Sequence, residues 1–462
     1  MKFFFSFYFF FILLKIVKLN KITIPFKAQN YDINKNSKYP NIINNYLYKD
    51  IVVNISIGNP PQNIQLSPCL GEYTTFVISK DADGYKGGTY EKNLSSSYIS
   101  LLQEDKPEFF TFQTFSEGIQ SKEIFTIENG QTKINDFEFI LATEIGGNNC
   151  YSNYCEVLTQ PGILGLEILQ LPNQIYENVS NTNFITQLKK KNIISDYYFN
   201  FHFNDENSGN LIIGLKPDEY DRINYKNKKY NLLKTTSPND EYLDWSIFFD
   251  KIYYGNMELV NEKPIILRIE FGLIIGYYEW EKILLKEFFN DLMSQDKCFK
   301  NSTNELGSTA HYYYCDKSIN ITKFKPISFT INEYNYNFIL DKDDLFIKVG
   351  DIYLFLMIFG GIYDLILGYP FLKKYQIIFN QDSKTIGFYQ DWDHRDKFSF
   401  SNISYYIVIF ILLIILLILI SIWINLYIKR NKTKKNATEL SNEEYDYNNH
   451  KNDLFGDENL IN

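Results

Sequence analysis

Apolar residues alternate with polar ones in short runs along most of the chain. The clearest run covers residues 51–57, in which Val53, Ile55 and Ile57 share one face of a predicted strand. A Gly-Asn-Pro-Pro turn follows and a second apolar strand begins at Ile64, so the two runs predict a β-hairpin. Similar runs recur roughly every ten residues, separated by Gly, Asn, Asp and Ser. The pattern predicts an all-β protein.

Two blocks depart from this alternation because they are apolar at nearly every position. Residues 1–20 contain a lysine-flanked block of signal-peptide length, with an uncleaved anchor as the alternative. Residues 405–428 contain a longer block with aromatic residues at its edges, long enough to cross a bilayer as a helix. Five cations between Lys429 and Lys435 follow it, which places the C-terminus in the cytosol. The sequence therefore predicts a single-pass type I membrane protein, with its ectodomain extracellular or in the endomembrane or vacuolar lumen.

Composition adds two limits to this picture. The chain has 462 residues, of which 45% are hydrophobic and 17% aromatic, so it holds enough apolar material for a large bilobal core. The net charge is −9 and no long basic run lies outside the C-terminal tail, which argues against a nucleic-acid-binding protein.

The residues around the first hairpin resemble the N-terminal signature of pepsin-like aspartic peptidases. The chain reads ISIGNPPQNIQL from residue 55, followed by a tight turn and an apolar run that ends at Val77. In that family the turn carries Asp-Thr-Gly, and an ungapped count places Cys69, Leu70 and Gly71 there. The resemblance therefore implies that Cys69 replaces the first catalytic aspartate.

A degenerate internal repeat extends the resemblance to both halves of the chain. GILGL at residues 162–166 and LILGY at residues 365–369 are similar to the apolar-apolar-Gly element of each family lobe. The resemblance implies an all-β, bilobal pepsin-like (acid protease) fold with a central cleft, followed by a C-terminal transmembrane helix. The predicted organisation is a signal peptide at 1–20, a short propeptide-like segment or a linker at 21–46, an N-terminal lobe at 47–225, a C-terminal lobe at 226–392, a juxtamembrane linker at 393–404, the transmembrane helix at 405–428 and a cytosolic tail at 429–462.

The second active-site turn is expected near residue 270, where two registers compete. If Gly272 is the turn glycine, Glu270 takes the aspartate position. The number of residues from the turn glycine to the glycine of the apolar-apolar-Gly element is then nearly the same in the two halves (165 − 71 = 94 against 368 − 272 = 96). If residues 273–276 are the anchor, Arg268 takes that position and Glu270 falls where a glycine is expected. We prefer Glu270, because a crowded turn tolerates a side chain poorly.

Neither register restores the chemistry of the family. Two carboxyl groups roughly 3 Å apart share one proton and hold the attacking water between them. The Cys69 thiol has an unperturbed pKa of about 8.5 and hydrogen-bonds weakly, so it cannot share a proton with Glu270 in this way. Pairing it with Arg268 would favour a thiolate but supplies no acid for the reaction. The threonine that braces each family turn is also replaced, by Leu70 in one turn and by Phe271 or Ile269 in the other.

The resemblance also identifies a flap, the hairpin that covers the cleft in the family. Phe112 stands where the family has tyrosine, so the ring is kept and the hydroxyl is lost. Gln113 and Phe115 replace two flap glycines, which predicts a bulkier and less mobile tip. An ordinary strand with aromatic core residues is the alternative interpretation of this segment.

Cysteines and sequons agree with a lumenal ectodomain. Cys150 and Cys155 lie close together in one loop, and Cys298 and Cys315 bracket another, which predicts two local disulfides and leaves Cys69 alone. A small buried filler is the preferred interpretation of Cys69. The predicted glycosylation acceptors are Asn93, Asn178, Asn301, Asn320 and Asn402.

Other catalytic chemistries find little support. A cysteine peptidase needs a histidine beside Cys69, yet His202 lies in an apolar strand and His311 in a predicted disulfide loop. His394 and His450 lie outside the predicted lobes. No metal-ligand spacing and no Gly-rich phosphate loop occurs, so we expect neither a metal nor a cofactor.

These observations favour a membrane-anchored pseudopeptidase. Its cleft is expected to bind a peptide or protein partner without cutting it, and the protein is expected to be a monomer. The alternative is an active aspartic-type endopeptidase that uses nonstandard acids, with Glu270 and Glu72 as candidates. Residues 436–462 could in addition form a sorting segment, for which a solvated tail is the default.

Overall fold

A computed structural model describes residues 21–391 in ten segments and a short part of the C-terminal apolar block. The chain divides into two compact units, Met1–Asp391 and Trp392–Asn462. The described residues are 21–30, 43–83, 87–101, 108–111, 114–145, 162–168, 182–237, 243–304, 308–360, 364–391, 418–424 and 426–427.

The first unit is mostly β, which confirms the predicted secondary-structure class. Its described strands are β1 (Ile22–Asn30), β2 (Lys49–Ile57), β3 (Gln62–Cys69), β4 (Phe76–Asp83), β5 (Ile99–Ser100), β6 (Glu108–Thr111), β7 (Thr114–Ile127), β8 (Thr132–Ile145), β9 (Gly162–Gly165), β10 (Tyr198–Phe203), β11 (Ser208–Ile213), β12 (Lys228–Lys234), β13 (Ser246–Ile247), β14 (Lys251–Tyr254), β15 (Met257–Leu259), β16 (Ile265–Leu267), β17 (Ile274–Gly276), β18 (Cys298–Thr303), β19 (Ala310–Asp316), β20 (Ile327–Ile331), β21 (Tyr336–Leu340), β22 (Phe346–Val349), β23 (Ile352–Gly360), β24 (Ile366–Leu367), β25 (Ile378–Asn380) and β26 (Thr385–Asp391).

The helices of this unit are short. The described α-helices are α1 (Asn44–Leu47), α2 (Phe184–Lys190), α3 (Pro217–Tyr220), α4 (Arg222–Tyr225), α5 (Tyr278–Leu284), α6 (Asn290–Met293), α7 (Lys342–Leu345) and α8 (Tyr369–Lys374), with a π-helical segment at Leu285–Phe289.

The first hairpin forms as predicted, and it belongs to the largest sheet. Strands β2 and β3 pair antiparallel with Val53 opposite Leu66 and Ile55 opposite Ile64. The sheet order is β12-β26-β25-β10-β11-β1-β2-β3-β9-β4-β8-β7-β5, with β6 paired to β7. Strands from both predicted lobes therefore share one sheet, because β25 from the end of the unit pairs with β10 of the predicted N-terminal lobe.

The segment predicted as propeptide-like or as a linker supplies β1. This strand runs antiparallel to both of its neighbours, β2 and β11. Ile22, Ile24, Phe26 and Ala28 point into the core and are at most 3% exposed. The alternation of buried and exposed positions explains why this stretch adopts an extended conformation.

Two further sheets complete the unit. The order in one is β13-β16-β24-β17-β23-β19-β18, with β22 paired to β23, and in the other β15-β14-β20-β21. The apolar-apolar-Gly elements are β9 and β24, and each runs parallel to the strand before an active-site turn and antiparallel to the strand after it. This repeated pairing positions the two turns.

Several predictions concern residues outside the described part of the chain. These are the signal peptide, the juxtamembrane linker, most of the apolar block, the cytosolic tail, and the side chains of Phe112, Cys150, Cys155, Asn178 and Asn402. In the second unit, residues 418–424 and 426–427 are helical. None of the helices described here has both the length and the apolar character to cross a membrane.

Candidate active site

The strand register compares the two active-site turns directly. In the first turn β3 runs parallel to β9 and places Cys69 opposite Gly165. In the second, β16 runs parallel to β24 with Leu267 opposite Leu367, and the Arg268 N–H donates to the Leu367 carbonyl at 3.2 Å. Arg268 thus lies one position beyond the pair, opposite the glycine that ends the second apolar-apolar-Gly element.

The strands that leave the turns give the same register. Phe76 of β4 pairs with Ile163, and Ile275 of β17 pairs with Ile366, the corresponding residue of the second element. The two intervals are equal (76 − 69 = 7 and 275 − 268 = 7). The pairing therefore favours the second of the two sequence registers, in which Arg268, not Glu270, corresponds to Cys69.

In this register Glu270 corresponds to Gly71, the position expected to exclude a side chain. A Cβ added to Gly71 would lie 2.7 Å from Arg268 Nε and 2.9 Å from Glu270 Oε1. Gly71 therefore leaves the space that the two second-turn side chains occupy. The two turns therefore limit each other's side chains at this position. The second turn can carry Glu270 because the first turn has a glycine, Gly71, opposite it.

Glu270 reaches across to the backbone of the first turn. Its Oε2 accepts the N–H of Leu70 at 3.3 Å, and its Oε1 accepts the N–H of Gly71 at 3.2 Å. The Cys69 Sγ also lies 3.5 Å from Oε1. The residue is only 8% exposed. The Glu270 carboxyl group of the second turn thus hydrogen-bonds to the backbone of the first turn.

Arg268 is held by a second buried acid. Its Nη1 and Nη2 donate to Oδ1 and Oδ2 of Asp244 at 2.6 and 2.5 Å, a bidentate pair. Its Nε lies 3.5 Å from Glu270 Oε1. The side chains of Arg268 and Asp244 are 15% and 2% exposed. Burial disfavours the guanidinium charge, but Asp244 and Glu270 outweigh it and raise the pKa of Arg268, so the cation persists.

Three buried carboxyl groups in this region, those of Glu270, Glu167 and Glu72, have a raised pKa. Burial raises the pKa of Glu270, although Arg268 and the first-turn N–H groups oppose the shift. Burial raises the pKa of Glu167 to about 8 in spite of Arg268, and Asp244 and Glu270 add to the increase. Burial also raises the pKa of Glu72 well above its usual range, against the hydrogen bond from Thr74 N–H at 2.9 Å.

The Cys69 thiol is fully enclosed and stays protonated. It is 1% exposed and free of a disulfide. Burial raises the pKa of this thiol, and the carboxylates of Glu270 and Glu72 raise it further against the effect of Arg268. A nucleophilic thiolate is therefore disfavoured at this position.

The residues that follow Cys69 and Arg268 in the two turns are apolar and buried. Leu70 and Ile269 are both 0% exposed and belong to the same hydrophobic core. In the family these positions carry the threonines whose hydroxyls brace the two turns. Here that polar contact is replaced by apolar packing and by the Glu270 carboxylate.

A strap formed by residues 46–49 backs the second turn. The Leu47 carbonyl accepts from Gly272 N–H at 2.9 Å, and Lys49 N–H donates to the Glu270 carbonyl at 2.8 Å. Between these bonds the ring of Tyr48 lies 5.3 Å from that of Phe271. Gly272 permits this contact, since a Cβ there would lie 2.2 Å from the Tyr46 carbonyl oxygen.

The described histidines do not activate Cys69. His311 Nδ1 lies 2.9 Å from Glu281, a carboxylate that also accepts from Lys300 Nζ at 2.9 Å and from the Tyr313 hydroxyl. Those three hydrogen bonds lower the pKa of Glu281 although burial opposes the change. His202 lies on β10 opposite Asn210. Among the described residues no group of three or more His, Cys, Asp or Glu could hold a metal ion.

The remaining predicted sites lie away from the turns in sequence. Cys298 and Cys315 form the predicted disulfide between β18 and β19. Strands β6 and β7 form a hairpin whose last pair is Thr111 with Thr114, which brackets the flap position 112. Asn93 and Asn320 are exposed, and Asn301 is half-buried.

Sequence reasoning missed Asp244 and Glu167. Asp244 precedes Trp245, whose indole N–H donates to the Leu166 carbonyl at 2.9 Å. Glu167 follows the first apolar-apolar-Gly element, and its N–H donates to the Glu72 carbonyl at 3.0 Å. The available signal for Glu167 was its position directly after the first apolar-apolar-Gly element, and for Asp244 its position directly before a tryptophan.

Comparisons with known proteins agree over most of the chain. The family model described as eukaryotic aspartyl protease matches residues 51–391. The chain is 24% identical over 370 residues to Plasmepsin VIII of Plasmodium berghei, which covers 74% of this chain and 87% of that protein. It is 24% identical over 378 residues to Vacuolar protease A of Neurospora crassa, which covers 78% of this chain and 83% of that protein.

Proposed function

Because this chain belongs to the eukaryotic aspartyl protease family, we propose that it is a membrane-anchored, pepsin-like pseudopeptidase. It binds a peptide or protein partner in its cleft and does not cleave it. The single observation that carries this proposal is the contact set of Glu270. Its carboxylate accepts from the first turn and faces a thiol and a guanidinium, where the family chemistry needs a second carboxyl group.

Peptide hydrolysis by two acids depends on a proton that both can hold. One carboxylate removes a proton from the water while the other, protonated, donates to the scissile carbonyl. Arg268 is permanently charged and has no acceptor, and Cys69 is a protonated thiol. Neither can take the second role, so a water held at Glu270 would have no matching acid on the opposite turn.

The rest of the cleft framework supports a binding role. The predicted flap hairpin pairs through β6 and β7, and the two turns keep the strand arrangement of the family. We propose a monomer without cofactor that takes an extended peptide or an exposed protein segment. The apolar block at 405–428 anchors it as a type I protein with a lumenal ectodomain, in line with the word vacuolar in the name of one relative.

An active endopeptidase with nonstandard acids is the second candidate. It is favoured by the raised pKa values of Glu270, Glu167 and Glu72, because strongly shifted carboxyl groups cluster at catalytic sites. In that case Glu270 acts as the base and a protonated neighbour as the acid.

A binding experiment that also records the fate of the peptide separates these functions. The purified protein is incubated with a pool of unfolded peptides at acidic and neutral pH, and bound peptides are identified by mass spectrometry. A pseudopeptidase returns them intact and in the same yield from the Glu270→Gln variant. New peptide termini that disappear with Glu270→Gln would establish the enzyme instead, and retention of no peptide under any condition would refute the binding role.

A further inference from the structure

The strap lies along the second turn as an added strand would. It donates the Lys49 N–H to the Glu270 carbonyl and accepts the Gly272 N–H at the Leu47 carbonyl. An antiparallel bridge forms between these two hydrogen bonds. A peptide that adds to the edge of a sheet makes the same ladder. The covering segment, defined as residues 43–49 and including the strap, is thus held on the second turn as a bound peptide would be.

Two apolar side chains anchor the covering segment. Ile43 is 0% exposed and Leu47 is 1% exposed. They belong to a hydrophobic cluster that is separate from the main core. The other buried members of this cluster come from β19, β23, β17 and the residue before β17, and these three strands are neighbours in one sheet. The sheet therefore has an apolar face beside the second turn, and the covering segment shields it from water.

The covering segment can leave this face without opening the largest sheet. Strand β1 pairs with β2 as far as Asn30, which lies opposite Lys49, and residues 31–48 connect the two strands. The sheet thus holds both ends of this connection. Burial of two aliphatic side chains favours the covered form by a factor of roughly 10²–10⁴, so an uncovered form exists as a minor state.

We propose that the covering segment is a reversible latch, which an extended segment of a protein partner displaces from the second turn. The partner segment places an aliphatic side chain where Leu47 lies and donates a backbone N–H to the Glu270 carbonyl, as Lys49 does. Opening the latch lowers the apparent affinity of the partner by the fraction of uncovered molecules. The inference rests on the proposed peptide-binding function and adds a means by which that binding is controlled.

Closing the latch covalently gives the sharpest test. Tyr48 and Phe271 form the bridge as a non-hydrogen-bonded antiparallel pair, whose Cα atoms lie about 4.5 Å apart, within the range of a disulfide. The lock variant carries Tyr48→Cys with Phe271→Cys. The probe is a fluorescent synthetic peptide of residues 41–50, NIINNYLYKD, whose binding is measured by anisotropy. We expect it to bind the oxidised lock variant about a hundredfold more weakly than the reduced one.

The unaltered protein, with and without reductant, is the control for the lock variant, and its binding of the probe should not change. Equal binding of the probe to the oxidised and reduced lock variant would overturn the latch. A probe with serine at the position of Leu47 should bind about tenfold more weakly, because it lacks the aliphatic anchor. Equal binding of the two probes would contradict the proposed chemistry of the partner.

Weakening the latch should have the opposite effect. The anchor variant, Ile43→Ala with Leu47→Ala, should bind the probe at least about tenfold more tightly than the unaltered protein does. A matched control, Ile331→Ala with Leu340→Ala, removes the same two side-chain types from the main core on β20 and β21 and should not bind more tightly. An equal gain in this control would show general loosening instead of a latch. Circular dichroism spectra that match the unaltered protein would show that each variant is folded.

Hydrogen exchange of the full chain tests the latch without any peptide. Residues 43–49 should exchange at least about tenfold more slowly in the oxidised lock variant than in the reduced one, while residues 50–57 of β2 exchange alike in both. Exchange that does not depend on the lock would overturn the latch, whether or not peptides bind. Lock-dependent exchange in a protein whose anchor variant binds neither the probe nor any peptide of the pool would instead refute the peptide-binding function, and with it displacement by a partner.

Discussion

The buried pair of Arg268 and Asp244 should be one of the most costly contacts to break. Replacing Arg268 with methionine keeps the length of the side chain and removes the charge. Asp244, with its side chain 2% exposed, then loses both guanidinium hydrogen bonds and the ion pair that they form. A buried charge without its partner costs about 3–5 kcal/mol of unfolding free energy. Glu270 loses its stabilising cation in the same change.

A double variant distinguishes the contribution of the Arg268–Asp244 ion pair to stability from the contribution of side-chain packing. In Arg268→Met with Asp244→Asn, no charge is stranded, and the new amide oxygen can still accept from Trp245 N–H, as Oδ1 does at 2.6 Å. We expect it to recover more than half of the loss, because replacing a buried pair is far less costly than breaking it. The exposed pair of Lys80 and Glu91 is the control, for which Lys80→Met should cost less than about 1 kcal/mol.

Urea unfolding followed by tryptophan fluorescence measures these differences, with the denaturant slope checked for each variant. The reasoning would be refuted if Arg268→Met were within about 1 kcal/mol of the unaltered protein. If the double variant were as unstable as Arg268→Met, the stability lost in the single variant would not come from the broken ion pair, and the reasoning would also be refuted.

Three further outcomes follow from single features of the fold. Gly272→Ala should lower the melting temperature clearly more than Gly360→Ala, since an added Cβ meets a strap carbonyl oxygen at 2.2 Å in the first case and ordinary contact at 3.6 Å in the second; equal effects would contradict the strap. Removing the disulfide by Cys298→Ala with Cys315→Ala should cost about 3 kcal/mol, because it closes a separation of 17 residues; unchanged thermal unfolding, with and without reductant, would contradict this. Burial raises the pKa of Glu167 to about 8, so its contribution to the free energy of unfolding is complete below about pH 4.5 and is lost as the pH rises through 8. Between those limits Glu167→Gln should gain stability on the order of 1–3 kcal/mol relative to the unaltered protein. A stability difference that does not change with pH would contradict this.

Local patterns in the sequence were sufficient for the elements but not for the contacts between turns. The hairpin of β2 and β3 and the disulfide of Cys298 with Cys315 depend on residues close in sequence, and both were predicted. The register of the second turn depends on β24, roughly a hundred residues further along the chain. The comparison of glycine positions favoured Glu270 because it assumed that each turn must exclude a side chain independently of the other turn.

The structure places the crowding between the turns. Gly71 provides the space for Glu270 from a position 199 residues earlier, and Asp244 comes from a loop 24 residues before Arg268. The periodicity of the sequence does not predict such contacts, because they form between residues that are distant in sequence and, for Gly71 and Glu270, follow strands of different sheets. An arginine and a glutamate near a degenerate turn could therefore be recognised as site residues, while their partners could not.

The most direct test of the central claim is the rate of peptide-bond cleavage by the purified protein, measured by mass spectrometry from about pH 3 to pH 7, the range in which carboxyl groups titrate. The variant Cys69→Asp with Arg268→Asp and Glu270→Gly rebuilds two facing acids and serves as the comparison, with its folding checked by circular dichroism. We expect no cleavage from the unaltered protein at any pH in this range. Acid-dependent cleavage by the unaltered protein that is lost in Glu270→Gln would contradict the account, because a single carboxylate facing a thiol and a guanidinium would then be catalytic.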